Sequence, residues 1–332
     1  FRDYAVPLDA PVEQRWIVRH RLEKLEPGQP FSQVRKPIVY YVDRGTPEPV
    51  RSALIEGAGW WAEAFKAAGF LQAYRVELLP EGVHPLDVRY NVIEWVHRST
   101  RGWSYGGSIY DPRTGEILKG HVSLGSLRVR QDRRIFEALA GADGTGSGAP
   151  DDPVQLALAR IRQLSAHEVG HTIGFAHNFA ASTYAGRASV MDYPAPLVDF
   201  DESGELDFSF AYGGGVGVWD KHAARYAYSE FAPGEDEQMV LHSIIREGIE
   251  AGYLFLSDSA ARPASAADPR ANLWDNGDDA IAALERTLRV RRLALDRFGE
   301  GNVRPGTPLA HLEEVLATVY FHHRFQLDAA VK

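Results

Sequence analysis

Short apolar runs and one helical repeat of apolar positions alternate along the amino-terminal third of the chain. The apolar runs predict three buried strands, at 37–43, 74–80 and 87–96. Between the first two runs, apolar side chains recur at helical spacing over 50–65, with Thr46 as the expected cap and Gly69 as the expected end. This order of elements predicts a mainly parallel twisted sheet with a crossover helix.

The pattern changes in the middle of the chain. Two extended runs within 104–125 flank a turn at 111–115, which predicts a hairpin and therefore one antiparallel strand. The glycine-rich stretch 141–153 predicts a flexible surface loop. Further along, helical spacing recurs in four segments, at 218–230, 236–251, 278–298 and 308–329. The predicted fold class is α/β (α+β) with a mainly helical carboxy-terminal region.

A capped helix is expected to start at the end of the glycine-rich loop and to carry candidate chemistry. Asp152 is its expected cap, and the helix should continue through His171. His167 and His171 are four residues apart, so their imidazoles lie on one face and can reach the same metal ion. Glu168 points about 100° around the helix, where it can reach a water on that ion but cannot easily join the histidines as a ligand.

The residues after this helix complete a longer motif, H-E-x-x-H-x-x-G-x-x-H, over 167–177. Gly174 can take a left-handed conformation that ends the helix and turns the chain back. His177 then arrives as a third ligand, and a fourth position stays open, as in catalytic zinc sites. The chain has no cysteine, so any metal ligand must be His, Asp or Glu. The predicted cofactor is Zn²⁺.

Ser189–Pro194, which reads SVMDYP, follows the histidine motif. The two segments together resemble the metzincin clan of zinc peptidases, in which such a segment is called the Met-turn. The resemblance implies that Met191 forms an apolar floor beneath the metal. It also implies that Tyr193 approaches the metal or donates a hydrogen bond to the developing oxyanion. Packing is the alternative for both residues, since Met often fills cores and Tyr often packs with a wet tip.

A wider resemblance covers about 12–325 of the chain. The stretches that carry it, besides the histidine motif, read RHRLEK, YYVDRGTPEPVR, GWWAEAFKAAGF, DPRTGEI and LWDNGDD. They are similar to a family of bacterial zinc-dependent metallopeptidases, mostly predicted to be exported and to carry further domains. The resemblance to the metzincin clan implies a twisted mixed five-stranded sheet with an antiparallel edge strand. The clan resemblance also implies a peptide or protein substrate lying extended beside strand 106–111, with the alternative that this hairpin is only the edge of the sheet. The resemblance to the bacterial family implies a periplasmic or secreted location.

Composition and termini set limits on partners and organisation. The net charge of −9 and the pI of about 5.8 argue against a nucleic-acid partner. No apolar stretch is long enough to predict a membrane span. Because the first residue is Phe1, we expect a processing site or boundary, with additional domains in a longer precursor. The predicted organisation is an arm, a catalytic subdomain and a carboxy-terminal subdomain, at 1–33, 34–177 and 178–332.

The function hypothesis is a zinc-dependent endopeptidase in which Glu168 is the general base and then the general acid on a zinc-bound water. Two alternatives stay open: a zinc-containing binding or scaffold module without turnover, and a gated processing enzyme that needs its own partner. Asp192 is a candidate partner for a ligating histidine, by proximity in sequence alone. The acidic stretch 199–207 lacks the twelfth-position Glu of a calcium loop, where Phe210 stands, so we interpret it as a turn.

Overall fold

The computed structural model describes residues 2–99, 103–232 and 234–332, so the prediction about Phe1 lies outside the described residues. The strands are β1 (Ser32–Gln33), β2 (Ile38–Val42), β3 (Phe70–Leu71), β4 (Tyr74–Leu78), β5 (Asn91–Val96), β6 (Tyr105–Tyr110), β7 (Ile117–Gly125), β8 (Asp199–Phe200) and β9 (Leu206–Asp207). The helices are α1 (Val50–Gly59), α2 (Trp61–Ala67), α3 (Leu127–Ala140), α4 (Pro153–Thr172), α5 (Val218–Tyr228), α6 (Glu237–Glu250), α7 (Asp258–Ala261), α8 (Ala280–Asp296), α9 (Leu312–Tyr320) and α10 (Arg324–Val331).

The central sheet has five strands in the order β4-β2-β5-β7-β6. Strand β2 pairs in parallel with β4 and β5, and β5 pairs in parallel with β7. Strand β6 runs antiparallel to β7 and forms one edge of the sheet. The predicted fold class, with its antiparallel edge strand, is therefore confirmed.

The helices of the carboxy-terminal half follow the predicted segments with shifted ends. Helices α5, α6 and α8 each form within the expected range. The expected segment 308–329 divides into α9 and α10, because the helix ends at Tyr320 and a short turn separates the two. The division of the chain into an arm and two subdomains stays a prediction.

The first predicted helix differs from the structure at its start and in its middle. Thr46 does not cap it: the Thr46 hydroxyl is buried and makes no hydrogen bond to the described residues. Helix α1 begins at Val50 instead, and the Glu48 carboxylate accepts hydrogen bonds from the backbone N–H and hydroxyl of Ser52, 3.2 and 2.8 Å away. A break at Trp60 separates α1 from α2.

Helix α3 was not predicted, because its sequence is rich in arginine and carries few apolar residues at helical spacing. It nevertheless buries Asp132 and Phe136 against the rest of the protein. Arg128 neutralises part of this cost, since its Nε lies 3.1 Å from the Asp132 carboxylate. A pattern of apolar positions does not include a buried charged residue of this kind, so it does not predict the helix.

Helix α4 lies at the centre of the molecule, packed against α1, α3, β6 and β7. Most of its residues are buried. Asp152 caps its first turn as expected, accepting from the Val154 backbone N–H at 2.8 Å. At its carboxy-terminal end, the Tyr40 hydroxyl donates to the Thr172 carbonyl at 3.3 Å, and the Tyr228 hydroxyl donates to the Ile173 carbonyl at 2.8 Å. Both ends of the helix are thus fixed by specific side chains.

Replacing Tyr228 by Phe should lower the free energy of unfolding by about 1–3 kcal/mol, because the buried Ile173 carbonyl loses its hydrogen-bond donor. Tyr74→Phe is the matched control. Tyr74 packs in the same aromatic cluster, but its buried hydroxyl has no partner among the described residues. Urea unfolding should show Tyr74→Phe to be neutral or stabilising. Equal losses in both variants would mean that the hydrogen bond is not what holds the end of α4.

Candidate metal centre

Two histidines lie on successive turns near the end of α4, and a third follows after a reversal of the chain. The Nε2 atoms of His167 and His177 each lie 3.2 Å from Nε2 of His171. One ligand atom from each ring lies within 4.8 Å of the other two. These are the three histidines that the sequence predicts as ligands, and the fold brings them to one point.

Gly174 allows the chain to reverse between the second and third histidines. Its φ is +104°, and a Cβ at this position would stand 2.0 Å from the carbonyl oxygen of Val18. The backbone N–H of Phe175 then donates to the Gly170 carbonyl at 3.0 Å, which closes the end of the helix. Glycine is therefore favoured at this position for two reasons. The positive φ is one that other residues rarely adopt, and the amino-terminal arm leaves no space for a Cβ.

Each of the three imidazoles is held through its other nitrogen. Nδ1 lies 2.8 Å from an acceptor in every case: the Val190 carbonyl for His167, the Phe175 carbonyl for His171 and the Asp258 carboxylate for His177. A carbonyl can only accept, so each such Nδ1 carries the proton and the opposite Nε2 offers a lone pair.

Three lone pairs that converge at such short separations repel one another unless a cation lies among them. The cluster therefore fits a metal ion. A set of neutral imidazoles without thiolate suits Zn²⁺, and three protein ligands leave room for a further one. Acceptors on the far ring nitrogens are also the usual support of metal-binding histidines, because they fix the tautomer and the ring orientation.

The electrostatic surroundings keep these rings neutral. Burial holds the pKa of His167 well below its usual range, and the neighbouring histidines lower it further. Burial also lowers the pKa of His171 to about 4. Burial lowers the pKa of His177 as well, although Asp258 opposes the effect. Metal binding needs unprotonated nitrogens, so the lone pairs are available at neutral pH.

Glu168 is buried where α4 meets the edge strand. Burial raises the pKa of its carboxyl to about 7, while the charge of Arg160 and a backbone hydrogen bond from Gly106 act in the opposite direction. Strand β6 approaches so closely that a Cβ on Gly106 would stand 2.0 Å from the Glu168 carbonyl oxygen. A cation in the histidine cluster would favour the carboxylate form, since opposite charges stabilise each other.

Met191 is fully buried against the turn of α4 that lies between the first two histidines. A Cβ on Gly170 would stand 2.2 Å from Met191 Sδ and 2.7 Å from Trp61 Cζ2. Trp61 is fixed in turn, because its Nε1 donates to the Ala166 carbonyl at 2.7 Å. The methionine and the tryptophan thus share the space left by the missing side chain of Gly170.

The segment around Met191 is held by a buried carboxylate. Asp220 accepts from the Ser189 hydroxyl at 2.5 Å and from the Val190 backbone N–H at 2.9 Å. Ser189 Oγ accepts in turn from the Met191 backbone N–H at 2.9 Å. The Val190 carbonyl accepts the hydrogen bond from His167 Nδ1, so Asp220 positions that carbonyl without contacting the histidine itself.

Tyr193 lies over the histidine cluster. Its ring centroid is 5.2 Å from that of His167 and 4.8 Å from that of His177. Its hydroxyl oxygen accepts from Nη2 of Arg262 at 3.2 Å. The fold therefore places Tyr193 beside two of the three rings, while its role stays a prediction.

The suggestion that Asp192 supports a histidine is wrong. Its carboxylate accepts instead from the backbone N–H groups of Ser182 and Tyr193, at 2.9 and 2.6 Å. The acidic partner of His177 is Asp258, which comes 81 residues later in the chain. It arrives because the segment before it runs beside Phe179, whose N–H donates to the Leu256 carbonyl at 2.8 Å. No motif or spacing in the sequence connects these positions.

A family model described as Met-zincin matches residues 149–332, which is more than half of the chain. The chain belongs to the Met-zincin family. No curated protein and no solved structure matches it. Membership, together with the three-histidine cluster, supports a zinc metallopeptidase at the level of the family. Within the described residues, no helix has the length and apolarity to cross a membrane.

Part of the site of this Met-zincin chain comes from residues before the matched region. Gly106 contacts Glu168, and Trp61 packs against Gly170. Val18 covers the turn at Gly174. The amino-terminal sheet and arm are therefore structural parts of the centre, although the three histidines all lie inside the match.

Replacing Asp258 by Asn should weaken zinc binding by about 10- to 100-fold, because His177 loses a charged acceptor at Nδ1. Competition with a chromophoric chelator measures this affinity directly. Asp268→Asn is the matched control, since Asp268 also pairs with an arginine of the same segment but contacts none of the histidines. An unchanged affinity in Asp258→Asn would contradict the structural reading of this contact.

Replacing Gly170 by Ala should destabilise the protein by about 1–3 kcal/mol, because the added methyl group displaces Met191 or the rigid Trp61 ring. Gly59→Ala is the control: Gly59 also lies in a helix, and a Cβ there meets nothing within 4 Å. That variant should be stabilised by roughly 0.5–1 kcal/mol. Thermal and urea unfolding of both variants test the contrast, which fails if the two substitutions act in the same direction.

Proposed function

We propose that the chain is a zinc-dependent endopeptidase, with the metal held by Nε2 of His167, His171 and His177. One observation carries the proposal: the three Nε2 atoms converge while all three Nδ1 atoms face acceptors. In each neutral ring the proton lies on Nδ1, so no hydrogen bond can form between the neighbouring Nε2 atoms, and a cation among them explains their short separation. The intact Glu168 favours turnover over simple metal storage, since holding a metal does not require it.

Zinc, when bound, acts as a Lewis acid that polarises the substrate carbonyl and makes water a better nucleophile near neutral pH. Glu168 takes a proton from the attacking water at a carboxylate oxygen and passes it to the nitrogen of the leaving amine. Burial and the Gly106 contact hold this carboxylate in place between the helix and the edge strand. Tyr193 Oη donates a hydrogen bond to the carbonyl oxygen as that atom gains negative charge.

The substrate in this proposal is an extended peptide segment that adds to the free edge of β6. Among the described residues, strand β6 pairs only with β7, so its other side offers backbone donors and acceptors. Tyr105, Ile109 and Tyr110 expose about half of their side chains along it. Gly106 packs against the Glu168 backbone carbonyl, and its backbone hydrogen bond to the Glu168 carboxyl supports a substrate position beside that side chain. The periplasmic or secreted location and the longer precursor stay predictions that rest on resemblance alone.

Cleavage of a peptide library, read by mass spectrometry, tests the activity. The zinc-loaded protein is compared with Glu168→Gln, which keeps the size of the side chain but cannot accept a proton. We expect the rate in the variant to fall by about 10²- to 10⁴-fold, with the zinc content of both proteins unchanged.

Two other outcomes would redirect the proposal. Equal cleavage by both proteins would indicate a contaminating protease or a different base. If neither protein cuts while both hold zinc, a general endopeptidase is wrong. The binding module and the gated processing enzyme would then become the leading hypotheses.

A further inference from the structure

A short segment of the carboxy-terminal region meets the metal site from the side of the third histidine. The Asp258 carboxylate lies 2.8 Å from His177 Nδ1 through one oxygen and accepts from Arg262 Nε through the other. Arg262 then donates from Nη2 to Tyr193 Oη at 3.2 Å. A continuous chain of polar contacts thus joins the third ligand ring to the tyrosine hydroxyl.

Arg262 contacts the face of the tyrosine as well as its hydroxyl. The guanidinium carbon lies 5.3 Å from the Tyr193 ring centroid and 5.4 Å from that of Phe179. Both distances fit cation–π contacts. The side chain keeps 43% of its area exposed, so it lies at the surface of the site. A half-exposed arginine is normally mobile, whereas this one is fixed by a carboxylate, a hydroxyl and two rings.

The position of the Tyr193 ring does not depend on Arg262 alone. The Trp274 ring packs against it with centroids 5.0 Å apart, and the Trp274 backbone N–H donates to the Tyr193 carbonyl at 2.9 Å. The rings of His167 and His177 contact it as well. These neighbours fix the plane of the ring, whereas within the described part of the chain Arg262 is the residue that donates to the hydroxyl oxygen.

The direction of the hydrogen bond decides what the hydroxyl can do. Arginine can only donate, so the Tyr193 oxygen is the acceptor and its own hydrogen stays available for another partner. A cation at this distance also strengthens the phenol as a donor, because it stabilises the negative charge that builds on the oxygen when the hydrogen is shared. An oxyanion near the histidine cluster is the partner that gains most from such a donor.

We propose that Arg262 is a positioning residue that orients the Tyr193 hydroxyl toward the carbonyl oxygen of the substrate, with Asp258 coupling this arrangement to His177. The inference rests on the proposed peptidase function and adds a residue to it that the histidine motif does not include. Arg262 acts through Tyr193, so its contribution should disappear when the hydroxyl is absent.

A double-mutant cycle tests this dependence. The variants are Arg262→Gln, Tyr193→Phe and the two combined, with Arg270→Gln as the matched control. Arg270 lies in the same segment and pairs with Asp268, but it contacts neither Tyr193 nor the histidines. For each zinc-loaded protein, kcat and KM are measured on one peptide from the library. Calorimetry adds the affinity for a phosphinic peptide of the same sequence, which resembles the tetrahedral state and is not cleaved.

We expect Arg262→Gln to lower kcat and the phosphinic-peptide affinity together by about 10- to 100-fold, with KM nearly unchanged. In the Tyr193→Phe background the same substitution should change either quantity by less than about twofold. Arg262→Lys should recover part of the loss, because one donor and the charge remain. Arg270→Gln should match the wild type.

Additive losses in the double variant would overturn the proposal, because Arg262 would then act independently of the hydroxyl. A normal kcat and a normal phosphinic-peptide affinity in Arg262→Gln would overturn it as well. A wild type that cuts no peptide would refute the proposed function. The affinities of the wild type and the variants for the phosphinic peptide would still show whether Arg262 acts through the Tyr193 hydroxyl. If the zinc-loaded wild type neither cuts nor binds that peptide, both fail.

Discussion

The requirement to hold three imidazole lone pairs at one point governs the rest of the structure. Repulsion among the Nε2 atoms has to be resisted by acceptors at the opposite nitrogens, and these acceptors come from three separate places. One is the segment before Met191, one is the end of α4 and one is the short helix α7. The long central helix and two later segments of the chain are therefore all needed to build one small cluster.

Close backbone approach is the second recurring device. At Gly106, Gly170 and Gly174, the position of a Cβ is already taken by a neighbouring backbone or side-chain atom. The first brings the edge strand onto the backbone of Glu168, and the second lets Met191 and Trp61 pack against α4. The third admits the amino-terminal arm. In each case a missing side chain is replaced by a specific contact, which ties the geometry of the site to distant parts of the chain.

The sequence was sufficient for the features that depend on local spacing. The ligand helix with its Asp152 cap, the three histidines and the mostly parallel sheet all follow from periodicity and motif. Long-range features were out of reach. Nothing near Asp258 marks it as the partner of His177. Helix α3 buries Asp132 beside Arg128, and apolar periodicity does not register a buried polar position of this kind. The start of α1 also differs from the prediction, because the Glu48 carboxylate, and not Thr46, accepts a hydrogen bond from a backbone N–H of the first turn.

The distance along the chain between His177 and Asp258 also determines the order in which parts of the site appear during synthesis. A nascent chain presents the complete histidine motif while the 81 residues that lead to Asp258 have still to emerge from the ribosome. During that interval the third ring has no carboxylate at Nδ1, and Tyr193 has no guanidinium at its hydroxyl. Synthesis thereby separates in time the appearance of the three histidines from the completion of the centre that they form.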